Sequence, residues 1–172
     1  SSHDIINEPH VREACFSVIG KLLDSGNELL ITTKPDLSVV KDIMEDFYRY
    51  RDNIQFRFTI TSKDDDLLSF WEPNAPCFDE RLESLILTYQ EGFRTSVSVE
   101  PFLDEDPSTL VGKLEPYITG TLWIGSMNYI KRTCILVDEQ YQYNRIRRIL
   151  EKENLSNIYK KLNTRPRIRF KD

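Results

Sequence analysis

The hydrophobic and polar residues of this chain alternate most clearly over residues 55–61, QFRFTIT. Side chains of a β-strand point alternately to opposite faces, so this alternation predicts a strand. One face has two phenylalanines and an isoleucine, and the other has Arg57, Thr59 and Thr61. A strand covered on both sides is usually apolar on both faces. The polar face therefore predicts a wet, functional cavity on that side.

A second alternating stretch follows further along the chain, at residues 95–101, TSVSVEP. Two valines form its apolar set, and two serines and a glutamate form its polar set. Two predicted strands therefore each have a polar face, and we expect those polar side chains to project into one shared hollow. The side chains concerned are Arg57, Thr59, Ser98 and Glu100.

Apolar residues at helical spacing predict helices between and after the strands. Gly26 and Gly92 are placed to end two of them, and we expect Asp36 or Ser38, Asp79 and Asp106 to act as N-caps. The predicted helices cover residues 9–25, 37–51, 67–71, 80–91, 107–114, 140–153 and 155–162. The predicted strands cover residues 28–33, 54–60, 95–99 and 121–125, the last strand being TLWIG.

Helices that alternate with four short strands are typical of consecutive βα units in a parallel sheet. The fold class is therefore α/β, either an open doubly wound sheet or an arc of a (β/α) barrel. The two polar strand faces favour the arc of a partial (β/α) barrel, with about four parallel strands and flanking helices, followed by C-terminal helices. We assign residues 1–130 to the barrel part and residues 131–172 to a helical extension and tail.

Length and composition fit one globular domain, since the 172 residues are 40% hydrophobic and 30% charged. Neither a membrane-spanning apolar run nor a signal peptide is found, so we expect a cytoplasmic protein with no membrane partner. The net charge of −5 argues against a broad nucleic-acid surface. The basic residues 145–169 leave two interpretations open, a solvated helix face or a phosphate-binding or partner surface.

Several residue types that often form sites have no supporting pattern here. His3 and His10, with Asp4, do not have a recognised metal-ligand spacing, so the sequence predicts no metal site. We expect Trp71 and Trp123 to lie in the core or to line a pocket. Glycine-rich phosphate-binding motifs are absent from the sequence.

Candidate chemistry gathers at the carboxyl ends of the strands, where parallel βα folds place their functional residues. Lys34, Arg57 and Glu100 there could hold a zwitterion, the cations on its carboxylate and the glutamate on its amine. An internal ion pair between Arg57 and Glu100 would satisfy both charges without a ligand, and the residues alone leave both interpretations open. Asn128 follows the last predicted strand. Glu72 lies in a loop above the carboxyl ends of the strands. The residues leave two interpretations open, that Glu72 faces a ligand or that it makes a hydrogen bond within the loop.

An ordered set of short strings resembles radical S-adenosylmethionine proteins of the spore-photolyase-like (DNA repair photolyase) group. The resemblance extends over residues 1–128 and implies the later part of a partial (β/α) barrel. The strings are SSHDI at 1–5, TKP at 33–35, RFTI at 57–60, WEPNAP at 71–76, ERL at 80–82, GF at 92–93, SVEP at 98–101 and WIG at 123–125.

In that family three thiolates of a C-x-x-x-C-x-x-C motif hold a [4Fe–4S] cluster. S-adenosylmethionine bound there supplies a 5′-deoxyadenosyl radical that abstracts hydrogen from the substrate. Cys15, Cys77 and Cys134 lack the motif's spacing, and we expect them to be buried thiols. The family places the motif upstream of this chain's first residue. We therefore expect a truncated, processed or split protein that binds no cofactor and is inactive alone.

The resemblance also implies roles for individual residues. Lys34 is similar to the residue that contacts the carboxylate of S-adenosylmethionine, and Thr59 or Arg57 to a contact of its ribose or methionine part. Glu72 and Glu100 are similar to motif residues near the substrate. The cofactor-binding candidates are therefore Lys34, Arg57, Thr59 and Glu100, and the substrate-side candidates are Glu72 and Asn128.

A barrel arc on its own has an unpaired strand edge, which proteins ordinarily protect. We therefore expect association with a missing N-terminal half or with a second copy of the chain. The competing hypothesis is a non-catalytic α/β interaction module or nucleic-acid accessory domain that uses the basic residues 145–169.

Overall fold

The computed structural model describes residues 4–133 and 135–171, and these form a single parallel sheet with helices. Neighbouring strands follow the order of the sequence, β1-β2-β3-β4-β5. The strands are β1 (Leu29–Thr33), β2 (Ile54–Thr59), β3 (Arg94–Val99), β4 (Leu122–Ile124) and β5 (Ile168–Phe170).

Helices connect each strand to the next, as parallel pairing requires. Short 3-10 turns lie at Ile5–Asn7, Tyr48–Asn53 and Glu115–Tyr117. The α-helices are α1 (Pro9–Asp24), α2 (Leu37–Asp46), α3 (Asp65–Trp71), α4 (Phe78–Gln90), α5 (Ser108–Leu114), α6 (Gln140–Ile149) and α7 (Lys152–Leu162). Among the residues that the structure describes, no helix is long and apolar enough to cross a membrane.

The two faces of the sheet differ sharply in chemistry. One face is apolar and lies in the core with the buried side chains of the helices. Its strand residues include Phe56, Phe58, Val97, Leu122 and Ile168, all 4% exposed or less. Residues at the alternate positions are mostly polar, which agrees with the predicted two-faced strands. The helices therefore cover one side of the sheet and leave the polar side for other contacts.

The α/β arc of parallel strands followed by C-terminal helices is confirmed, with one strand more than predicted. The strand predicted at residues 121–125 is observed as β4, but it is not the last strand of the chain. The tail after Asn163 turns back and adds β5, which pairs in parallel with β4. Helices α6 and α7 therefore form the crossover between β4 and β5.

The N-cap predictions have mixed outcomes. Asp36 caps α2 by accepting hydrogen bonds from the backbone N–H groups of Ser38 and Val39, at 2.9 and 3.1 Å. The prediction for Asp79 is wrong, because α4 begins at Phe78, whose N–H donates to Asp65 at 2.8 Å. The carboxylate of Asp106 accepts from the N–H of Ser108 at 3.0 Å, but Pro107 is the N-cap residue of α5.

Candidate functional site

The polar face is formed by residues in register on neighbouring strands. Arg57 lies beside Ser96, and Thr59 beside Ser98. Ser98 in turn lies beside Trp123 on β4, and Trp123 beside Arg169 on β5. Residues in register on parallel strands point to the same side of the sheet, so these side chains share one surface. We call this surface the polar face.

Arg57 is the central cation of the polar face, and it is half-buried. Among the described residues it has no ion-pair partner within 4.0 Å and no hydrogen-bond acceptor, and its Nε is buried. The guanidinium Cζ lies 6.0 Å from the ring centroid of Trp123. Arginine stays charged in proteins, so the described chain leaves a half-buried positive charge without a carboxylate.

Glu100 pairs with a different cation, so of the two open interpretations the Arg57–Glu100 ion pair is not the one observed. Its Oε2 lies 2.6 Å from Nζ of Lys171 and accepts a hydrogen bond from Ser98 at 3.3 Å. The side chain lies against Gly125, where an added Cβ would come within 2.8 Å of Cγ of Glu100. Glycine at position 125 therefore avoids a steric clash with the side chain of Glu100. Lys171 was not predicted as a site residue.

Lys34 follows the carboxyl end of β1, and Thr59 lies at the carboxyl end of β2. Lys34 directly follows β1, two residues after Thr32, which lies beside Arg57. Its backbone N–H donates to the carboxylate of Asp4, and its carbonyl accepts from Asn7. Within the described residues the Lys34 ammonium has no carboxylate partner. Thr59 is half-buried at the end of β2. The cofactor-binding role of both residues stays a prediction.

Glu72 forms a buried clamp with Arg81 below the loop that follows β2. Its Oε2 lies 2.6 Å from Nη1 of Arg81, and its Oε1 accepts from the Thr61 hydroxyl at 3.0 Å. Arg81 also donates to the carbonyl oxygens of Pro76 at 2.7 Å and Thr59 at 3.2 Å. Both oxygens of Glu72 are therefore used inside the protein, which favours the loop-bonding interpretation. Its substrate-side role stays a prediction.

Asn128 lies in an exposed bend after β4, apart from the clamp and without a hydrogen bond to the described chain. The structure does not test its substrate-side role, which stays a prediction.

Several residues of the basic segment 145–169 bind within the protein. Arg145 donates to the carbonyl of Leu103 at 2.9 Å, and Arg147 to that of Lys131 at 2.7 Å. Arg165 lies 2.6 Å from the carboxylate of Glu115. Such contacts fix side chains of this segment, so they favour a structural role over a continuous nucleic-acid surface.

The described cysteines do not form a cluster or metal site. Cys77 is exposed and Cys15 is half-buried, so the prediction of buried thiols is wrong for Cys77. His3 and Cys134 lie outside the described residues. In the described ranges, no group of three or more His, Cys, Asp or Glu side chains could hold a metal ion. The thiols that the structure describes therefore do not fit a [4Fe–4S] cluster.

Asp104 lies near the carboxyl ends of β2 and β3, and its pKa is raised. Burial raises the pKa of Asp104, and the hydrogen bond from the Ser62 hydroxyl at 2.6 Å only partly offsets that effect. No sequence pattern indicated this residue, because its burial depends on the packing of the loop after β3.

The β1 edge of the sheet is lined by an exposed apolar surface. Val18, Leu22 and Leu30 are 55%, 41% and 49% exposed. Val18 lines a groove of about 570 Å³ between α1 and β1, and the register of Leu30 with Gln55 places Leu30 on the polar side of the sheet. Helix α1 buries only Ile19 and Leu23, so part of its apolar surface has no partner in the described chain.

Comparison with known proteins gives one distant relative. An uncharacterized protein of Methanocaldococcus jannaschii is 27% identical over 99 residues, which are 56% of this chain. The aligned part spans 37% of that protein's length. No family model matches the chain. No solved structure matches it either.

Proposed function

We propose that this chain is the cofactor-facing later part of a radical S-adenosylmethionine enzyme, and that it binds S-adenosylmethionine and substrate on the polar face. The observation in its favour is the pair of cations, Arg57 and Lys34, that have no carboxylate partner among the described residues. A ligand with a carboxylate would neutralise them. The family's strings at residues 33–35 and 57–60 contain these same two residues.

Individual residues of the chain would bind and orient the cofactor. Lys34 and Arg57 would hold its carboxylate and methionine part, and the Thr59 hydroxyl would hydrogen-bond to its ribose. Glu100 is neutralised by Lys171, so an amine on the ligand would compete with that lysine. When bound to a cluster, S-adenosylmethionine supplies a radical that removes hydrogen from the substrate.

The cluster does not fit the described thiols, so its ligands would belong to another polypeptide segment. We propose that this segment adds a strand at β1 and covers Val18 and Leu22 of α1. Unpaired edges and exposed apolar patches are the usual positions of such contacts. The relative extends well beyond the aligned residues, which supports a larger assembled protein. The chain alone would then be inactive and would retain no cofactor through purification.

Light scattering on a size-exclusion column tests the β1 surface. We expect the chain alone to associate, and Val18→Lys with Leu22→Lys to make it monomeric. Val137→Lys is the control, because Val137 is 86% exposed and far from β1 in sequence. A wild-type chain that remains monomeric would contradict the proposed edge.

The activity is tested by reading the coding sequence upstream of Ser1 and expressing that longer protein anaerobically with iron and sulfide. We expect a three-cysteine motif, the absorption and electron paramagnetic resonance of a [4Fe–4S] cluster, and 5′-deoxyadenosine from S-adenosylmethionine. Arg57→Gln should lower 5′-deoxyadenosine formation while leaving the cluster signal unchanged. An upstream sequence without the motif, or a loaded protein that cleaves no S-adenosylmethionine, would sink the proposal.

A further inference from the structure

We propose that the polar face contains an oxyanion subsite between Arg57 and Trp123, which binds a carboxylate or phosphate group. Two buried N–H groups there, Nε of Arg57 and Nε1 of Trp123, have no acceptor among the described residues. Buried donors are almost always hydrogen-bonded, and one left unpaired costs about 1–3 kcal/mol. Nε of Arg94 on the same face also has no acceptor, but the Arg94 guanidinium is paired with Glu28. The missing acceptor is therefore indicated between Arg57 and Trp123.

The position of the two side chains is compatible with one shared ligand. The guanidinium of Arg57 reaches from β2 to within 6.0 Å of the Trp123 ring on β4. On the strand between them, β3, the residues beside Arg57 and Trp123 in register are Ser96 and Ser98, which have small side chains. A group of a few atoms could therefore lie over β3 and accept from both N–H groups.

The charges around the subsite favour an anion over a neutral acceptor. Arg57 has no ion pair in the described chain, and the nearby carboxylate of Glu100 is held by Lys171. Within the described residues, Arg169, the neighbour of Trp123 in register, donates only to backbone carbonyls. An arginine fork binds carboxylate and phosphate oxygens with two parallel hydrogen bonds. Ser96 is not a competing donor, because its hydroxyl donates to the carbonyl of Phe56 at 3.1 Å.

This inference deepens the proposed function and rests on its premise that ligands bind to the polar face. It adds Trp123 as a binding residue and gives Arg57 a defined partner. It does not need a cluster, so the chain as it stands is enough to test it.

The indole N–H resonances of Trp71 and Trp123 report on the subsite directly by nuclear magnetic resonance. Trp123→Phe removes the Trp123 resonance, so the resonance that remains is that of Trp71. We would titrate the chain with sodium acetate, sodium phosphate and S-adenosylmethionine, with sodium chloride as the control for ionic strength. The Trp123 resonance should shift and saturate with acetate or phosphate, while the Trp71 resonance stays in place. The tighter of the two identifies the ligand as a carboxylate or a phosphate.

Variants separate a specific subsite from a general charge effect. Arg57→Gln should weaken binding by about tenfold or more, since it removes the charge and the fork. Arg94→Gln is the matched control, because Arg94 is on the same face but already lies 3.1 Å from Glu28. The same spectra show whether each variant is folded. A shift that also occurs with chloride, that persists in Arg57→Gln, or that never appears would overturn the inference.

The outcomes also separate the two proposals. Acetate or phosphate binding to the chain, together with a cluster-loaded longer protein that binds no S-adenosylmethionine, would support the subsite and contradict the proposed cofactor. Binding of S-adenosylmethionine that leaves the Trp123 resonance unchanged would support the cofactor and overturn the subsite.

Discussion

The buried clamp of Arg81 and Glu72 gives a prediction of large effect. Arg81 is 0% exposed and Glu72 is 7% exposed, and Nη1 and Oε2 lie 2.6 Å apart. Arg81→Met leaves a buried carboxylate without its cation, which typically costs about 3–5 kcal/mol. It also leaves the carbonyls of Pro76 and Thr59 without a donor, at about 1–3 kcal/mol for each group that water cannot reach. We therefore expect a loss of at least about 3 kcal/mol.

Urea unfolding of four proteins measures the clamp. These are the wild type, Arg81→Met, Glu72→Leu and the double variant. Because the double variant removes both charges, its loss should be smaller than the sum of the two single losses by about 1–3 kcal/mol. The control is Arg49→Met, since Arg49 pairs with Asp24 at 3.2 Å but the two side chains are 74% and 61% exposed. That control should cost at most about 1 kcal/mol.

The result that would refute this reasoning is a loss in Arg81→Met no larger than in the Arg49 control. Strictly additive single losses would refute it as well. Since domains of this size are stable by about 5–15 kcal/mol, the expected loss is measurable without complete unfolding.

Three further predictions concern single side chains. Gly125→Ala should lower the free energy of unfolding by about 1–3 kcal/mol, because its Cβ would lie 2.8 Å from Cγ of Glu100; an unchanged melting temperature would contradict this. Asp36→Ala should cost about 1 kcal/mol at neutral pH. Burial opposes ionisation of Asp36, but hydrogen bonds from Ser38 and Val39 outweigh it and lower its pKa. The cost should therefore fade as pH falls through that lowered pKa, and urea unfolding that shows the same cost in acid would exclude this. Burial raises the pKa of Asp104, so its charged form destabilises the fold at neutral pH. Asp104→Asn should stabilise the protein there, with a gain that disappears as pH falls through the raised pKa; a gain that grows in acid would reverse the assignment.

The two-faced strands were predictable because alternation is a local signal. Arg57 and Thr59 alternate with two phenylalanines in β2, and the register with β3 then follows from parallel pairing. The register confirms that Arg57, Thr59 and Ser98 are on one side of the sheet, and the predicted shared hollow stays a prediction.

Strand β5 was missed because its three residues, Ile168–Phe170, are too short for a recognisable alternation. They follow Pro166 and stand among arginines, which is typical of a charged tail. Only pairing with β4 makes this segment a strand, and pairing across the α6–α7 crossover is not visible locally.

The partners of the charged residues were also beyond local reasoning. Lys171 is far from Glu100 in sequence, so the 2.6 Å ion pair depends on β5 joining the sheet. Arg81 did have a signal, since it shares a helical stripe with Phe78, Leu85 and Thr88, all buried on α4. An arginine is seldom buried without a partner, and the partner Glu72 lies outside α4, so the stripe alone did not identify Arg81.

The central claim is that the polar face, organised around an arginine without a carboxylate partner, is the ligand-binding surface of this protein. Backbone amide shifts mapped during a titration of the chain with sodium acetate or sodium phosphate test it most directly. The account predicts shifts at Arg57, Thr59 and Ser98 that saturate and that Arg57→Gln removes. Shifts confined to the helix-covered side of the sheet, or shifts of equal size in Arg57→Gln, would contradict it.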